Sequence, residues 1–179
     1  EDRVAFGLVA VGHRQGKACA EAELIAKPGE LTSKAPGKLL FGAGFKPKLG
    51  GPIAAALVEA AKQTPPTGLD VVLITDGLDS CKANVCATVK SLKQAAPGLR
   101  IHVIGFDSKA RQALKPLACV AQSTGGQFLT AATANELVDL AHRAPLVLLG
   151  LRAGLVILEH DVGRLVRMLL VESLVLGVA

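Results

Sequence analysis

Three runs of the chain, VAFGLVAV at 4–11, DVVLIT at 70–75 and RIHVIGF at 100–106, are dominated by Val, Ile, Leu and Phe yet are too short for an ordinary helix. Runs of this length and composition read as strands buried on both faces. Between them lie segments of a different period. Pro52 suits a first helical position, after which Ile53, Leu57, Val58 and Ala61 recur on one face, until Thr64-Pro65-Pro66 stops the helix. Val85, Val89 and Leu92 repeat the pattern ahead of Pro97-Gly98. Uniformly apolar strands that alternate with helices require a mostly parallel sheet with helices on both faces. The expected fold is therefore a doubly wound, Rossmann-like α/β domain.

The remaining segments fit the same frame. Residues 20–26 form a more polar strand that Pro28-Gly29 should stop, and the Lys-, Gly- and Pro-rich stretch 27–51 reads as a surface connection. A short helix over Pro116 to Ser123 ends at Gly125-Gly126 and QFLT at 127–130 follows as a strand. Thr133 and Glu136 then stand at the spacing of a capping box, ahead of Leu137, Leu140 and Ala141. In such sheets ligands gather at the carboxyl ends of the strands, which singles out Gly12-His13, Asp76 and Asp107.

Composition removes several classes of function. Half of the 179 residues are hydrophobic and 20% are charged, so the chain buries a core and is read as one domain over 1–179. Aromatic residues are 3%, with neither Trp nor Tyr, and the net charge of +5 is scattered along the chain. Stacking platforms and basic runs are thus missing, and no nucleic-acid partner is expected. The charge-free stretch 144–151 stops at Arg152, well short of the ~20 residues of a membrane span. Glu1-Asp2-Arg3 lacks a basic leader region, so no signal peptide is expected in this chain.

Catalytic motifs are equally sparse. Phe41-Gly42-Ala43-Gly44 follows no strand and has Pro47 where a phosphate loop needs glycine. His13, His102, His142 and His160 show no metal-ligand spacing, and His102 inside a strand reads as a satisfied histidine. Four residues separate Cys81 from Cys86, too many for a Cys-x-x-Cys redox centre. That spacing favours a structural loop disulfide between the two, in an oxidising compartment. Cys19 and Cys119 either pair with each other or are buried as small hydrophobes.

Five separated segments, GHRQGKAC at 12–19, KPKLGGPIAAAL at 46–57, VVLITDG at 71–77, IHVIGF at 101–106 and STGGQF at 123–128, together resemble the von Willebrand factor A (VWA) domain family, in its bacterial form. The resemblance runs over 1–143 and leaves 144–179 as a tail. It implies a non-catalytic protein-binding module, extracytoplasmic and periplasmic or secreted, that meets a protein partner with the carboxyl-end loops of its sheet. A thiol-disulfide enzyme using Cys81, or a purely structural domain of a larger envelope assembly, are the alternatives. The family usually holds a divalent cation between an Asp-x-Ser-x-Ser after its first strand, a Thr in a second loop and an Asp in a TDG loop. Here Asp76 supplies the last, Gly51 stands at the Thr position, and the chain opens at the family's second strand.

A sheet without its first strand has a gap at its centre, with backbone groups unpaired on both sides. GLVILE at 154–159 is a strand candidate, and His160, Arg164 and Arg167 mark a helix over 161–176. The resemblance therefore implies a circular permutation, with 154–159 parallel to 4–11 and 71–75 and lying between them. In that arrangement Glu159 and Asp161 join Asp76 as the metal ligands of a degenerate or altered adhesion site for Mg2+ or Mn2+.

Overall fold

The structure is a computed structural model that describes residues 5–11, 19, 22–31, 51–106, 113–133, 136, 140 and 153–158. In chain order these form strand β1 (Ala5–Val11), β2 (Ala22–Leu31), helix α1 (Ile53–Ala61), β3 (Leu69–Thr75), α2 (Val85–Ala95), β4 (Leu99–Phe106), a 3-10 turn (Lys115–Leu117) leading into α3 (Ala118–Thr124), β5 (Phe128–Ala131) and β6 (Ala153–Leu158). This is a mixed α/β architecture around a six-stranded sheet of order β2-β1-β6-β3-β4-β5. Only β2 runs antiparallel to its neighbour.

The tail strand occupies the centre. Phe6, Leu8 and Ala10 pair in register with Gly154, Val156 and Leu158, and the same residues of β6 pair on their other side with Asp70, Val72 and Ile74. β6 thus lies parallel to and between β1 and β3, where a strand was expected to fill the gap. The expected helix over 161–176 lies outside the described residues.

Alternation along the strands divides the core in two. Val9, Val71, Leu73, Ile101 and Val103 point to one face, where Ile53 and Leu57 of α1, Val85 and Val89 of α2 and Val120 of α3 pack on them. α1, α2 and α3 all cover this face. On the other face Ile104 and Ala131 are buried against Val72, Ile74, Phe106, Leu129 and Leu140. Leu8 and Ala10 are buried there too, so the sheet is withdrawn from water on both sides.

Two local readings change. β2 runs on through Pro28-Gly29 to Leu31, because it is an edge strand: the ladder steps from Leu8↔Ala26 to Phe6↔Leu31, and the excess residues of β2 bulge out where a missing proline N–H costs nothing. On α1 the buried stripe is Ile53, Ala54, Ala56, Leu57 and Ala60, which turns Val58 out to solvent. The capping-box spacing is used: the Glu136 N–H donates to Thr133 Oγ1 at 3.2 Å, while the Glu136 carboxylate accepts from Ala132 N–H at 2.8 Å.

STGGQF acquires a physical explanation. The buried Thr124 hydroxyl accepts from Ile101 N–H at 2.9 Å and lies 3.1 Å from the Val120 and Ala121 carbonyls, tying α3 to β4. Gly125 then takes the left-handed conformation at φ 78°, and Gly126 N–H closes the helix end on Ala121 O at 2.9 Å. A Cβ on Gly126 would stand 1.9 Å from Ile101 O, so only glycine fits against that strand.

At the amino end of the sheet, Asp70 and Arg100 sit side by side in register on β3 and β4. The guanidinium forks onto the carboxylate through Nε–Oδ1 and through Nη2–Oδ2 at 3.0 Å. His102 Nδ1 accepts from Gln127 N–H at 3.2 Å, which turns its Nε2 toward Asp70 Oδ1 at 3.5 Å. Burial raises the Asp70 pKa, but the His102 ring and the Arg100 fork lower it by more, and the carboxyl ends below its ordinary range. A depressed carboxyl stabilises the fold above its unfolded pKa and loses that contribution as pH falls through the folded value. Urea unfolding between pH 7 and 2 should therefore show stability declining below about pH 4, and Asp70→Asn should flatten part of that decline while lowering stability at pH 7.

Candidate functional site

The carboxyl end of β3 opens into a loop over residues 76–84 that is fixed from four directions. Thr75, fully buried, folds the strand exit into a turn: its hydroxyl donates to Gly77 O at 2.8 Å and accepts from Gly77 N–H at 3.2 Å. Ser80 N–H donates to Gly51 O at 3.2 Å, which joins the loop to the start of α1. Cys81 is bonded to Cys19, between β1 and β2. Asn84 ends the loop as the cap of α2, its side-chain oxygen accepting from Ala87 N–H at 3.0 Å.

Asp79 organises the middle. One carboxylate oxygen accepts from Ala54 N–H at 2.8 Å, the other from Cys81 N–H at 2.8 Å and Ala83 N–H at 3.3 Å. Gly51-Pro52 offers α1 no side-chain cap, so its first-turn N–H takes an acceptor from a distant loop. A carboxylate at a helix N-terminus is also favoured by the helix dipole. Sequence reading missed Asp79. The available signal was the uncapped start of α1, which demanded an acceptor without saying where it comes from.

Both bridges differ from the expected Cys81–Cys86 link. Cys19 pairs with Cys81, and Cys86 pairs with Cys119, with Cα separations of 5.4 and 5.9 Å. The reason lies in the loop. Asp79 curls the chain so that Cys81 meets the β1–β2 connection, whereas Cys86 sits in the first turn of α2, which packs on α3 and its Cys119. The bridges close sequence separations of 62 and 33 residues. Chain-entropy reasoning assigns each about 4 kcal/mol of stabilisation.

The residues expected to gather at this end are brought together only in part. Asp76 is half-buried at the exit of β3, beside the loop just described. Gly12-His13, Asp107, Glu159 and Asp161 lie outside the described residues. Among the described residues no three His, Cys, Asp or Glu side chains come close enough to hold a metal ion. Gly51 uses its carbonyl on Ile53 and Ser80, and both Asp79 oxygens are taken by backbone N–H groups. Next to Asp76, these two sets of oxygen atoms are thus engaged by backbone N–H groups.

The loop exposes Leu78 together with Ser80, Lys82, Ala83 and Asn84. Leu78, between Asp76 and Asp79, is 46% exposed. Among the described large hydrophobics, Val58 of α1 at 36% is its companion in exposure. Lys82 holds a left-handed backbone at φ 56°, an unfavourable conformation for a side chain other than Gly or Asn.

No family model and no curated protein matches the chain. Among solved structures it is similar to an uncharacterized membrane-spanning protein from Vibrio fischeri, at 17% identity over 79% of this chain and 74% of that one, with a TM-score of 0.38. A likeness that weak carries no argument. Among the described residues no helix is long and apolar enough to cross a membrane.

Asp79→Ala should cost about 1–3 kcal/mol, since it strands three N–H groups, two of them at 2.8 Å. Asp79→Asn, which keeps an acceptor oxygen, should recover part of that loss. Denaturant unfolding of the three proteins side by side measures both.

Proposed function

We infer that this chain is a non-catalytic protein-binding module of VWA type that docks a protein partner on the loop after β3. One observation carries the reading: Leu78, 46% exposed, is displayed on a loop immobilised by Asp79, by the Thr75 turn and by the Cys19–Cys81 bridge. A prefixed apolar side chain loses little entropy on binding, which is what a recognition anchor needs. The central position of β6 supports a doubly wound VWA sheet permuted so that its first strand comes last.

The adhesion site of this module is degenerate. Asp76 keeps the aspartate of the TDG loop, Glu159 and Asp161 stand where the family has Asp and Ser, Gly51 replaces the threonine, and Asp79 serves the helix. Recognition then rests on loop shape and Leu78, without Mg2+ or Mn2+. Two disulfides favour an extracytoplasmic setting, periplasmic or secreted. They also weigh against a thiol oxidoreductase, because Cys81 and Cys86 bond to different partners and form no dithiol couple.

A photo-crosslinking amino acid placed at Leu78 in the native host should give discrete protein adducts, and the same group at exposed Lys90 on α2 should give none. Calorimetry should register no heat with millimolar magnesium or manganese. Equal labelling from both positions, or none from position 78, contradicts the docking site; metal binding that disappears in Asp76→Ala contradicts the degenerate one.

A further inference from the structure

His102 is buried in the middle of β4, in register with Val72 of β3 on one side and beside the start of β5 on the other. Its two ring nitrogens are held unequally. Nδ1 accepts from the Gln127 N–H at 3.2 Å, so in the neutral ring Nδ1 carries no hydrogen and the proton sits on Nε2. Nε2 makes no hydrogen bond and lies 3.5 Å from Asp70 Oδ1. With the side chain only 8% exposed, water offers that N–H little compensation.

A second proton has one place to go. It must bind Nδ1, where the Gln127 N–H already points at the lone pair. Two donors cannot share that site, so proton uptake expels Gln127 from the ring. The imidazolium then presents its Nε2–H to a carboxylate that the Arg100 fork holds in place. Among the described residues, Asp70 from β3 and Arg100 from β4 are the charged groups beside the ring, and β5 and Gln127 add none. Arg100, the repelling neighbour, has room to yield: its second prong rests on Asp70 Oδ2 at 3.0 Å and its side chain is 42% exposed.

We propose that His102 is a proton-binding site that ties β5 to the sheet when neutral and, when charged, releases Gln127 and closes on Asp70. The step moves one proton from solvent to Nδ1 and changes no oxidation state. Imidazole is the side chain suited to this, because its charge changes between about pH 5 and 8. Asp70, held below the usual carboxylate range by His102 and Arg100, and Arg100, held above its own by Asp70, keep their charges throughout that interval.

Gln127 is well placed to pass the change on. Its carbonyl accepts from Val103 N–H at 2.8 Å, a rung between β4 and the start of β5. On its other side Gly126 is pressed against Ile101 and bonded to Ala121, which keeps α3 from following. The loosening therefore runs forward into β5, a strand of four residues at the edge of the described sheet. The β3–β6 ladder lies on the far side of β4 and stays closed. The device stands apart from the docking surface, since Leu78 follows the opposite end of β3 from Asp70.

The test is nitrogen-15 NMR of the imidazole rings of the full chain from about pH 8 to 5, with the Gln127 and Val103 amides followed over the same range. At the alkaline end His102 should show the Nε2–H tautomer. As the ring takes its second proton, the Gln127 amide resonance should move with the same midpoint. Hydrogen exchange at Val103, corrected for its intrinsic pH dependence, should accelerate roughly tenfold or more while exchange at Leu73 holds steady. His102→Gln should remove the pH dependence at both amides, and Asp70→Asn should shift the release of Gln127 to more acidic solution. An Nδ1–H tautomer at the alkaline end, a ring that stays neutral to the acid end, or a ring that titrates while Gln127 and Val103 do not respond overturns the proposal, as does release that persists in His102→Gln. The readouts on the unsubstituted chain decide the matter even where a variant does not fold. None of them involves a partner, so the crosslinking result at position 78 stands or falls separately.

Discussion

Among the described residues β1 and β3 share no hydrogen-bonded ladder of their own, and the two halves of the sheet are joined through β6. A buried strand edge on either half would leave a row of N–H and C=O groups without partners, each costly away from water. One strand from the far end of the sequence satisfies both rows at once. Parallel pairing on its two sides also fixes the pleat, so that Val9, Leu73 and Val103 share the face on which the helices pack. The core beneath α1, α2 and α3 therefore depends on a strand that none of those helices adjoins in sequence.

With the sheet centre closed, the carboxyl end of β3 has a firm base from which to project a loop. That loop is shaped by polar contacts more than by burial. Asp79 serves a helix N-terminus and two turn amides with one carboxylate, the Thr75 hydroxyl closes the strand exit, and a disulfide brings in the β1–β2 connection.

Much of the fold was legible because burial writes itself into residue type. VAFGLVAV, DVVLIT and RIHVIGF became β1, β3 and β4 within a residue at each end, and the gap argument placed the tail strand. The continuation of β2 past Pro28-Gly29 was hidden because proline is forbidden in a central strand and harmless at an edge, and sequence alone does not say which strand is the edge. The cysteine pairing was hidden for a related reason. Cys81 and Cys86 are close in sequence, but the Asp79 turn and the start of α2 direct them to partners 62 and 33 residues away. His102 reads from sequence as a satisfied histidine, but only its Nδ1 is hydrogen-bonded, by Gln127 N–H, while its buried Nε2 makes no hydrogen bond and lies 3.5 Å from Asp70 Oδ1.

The central claim is that β6 is an integral member of the sheet and not a strand laid against a finished domain. Native-state hydrogen exchange in increasing denaturant tests this most directly, by following amides of residues 7–10, 71–74 and 154–158. If β6 holds the halves together, all three sets exchange only through global unfolding and converge on one free energy. Exchange of 154–158 by a separate local opening of lower free energy, with 7–10 and 71–74 still protected, would contradict it.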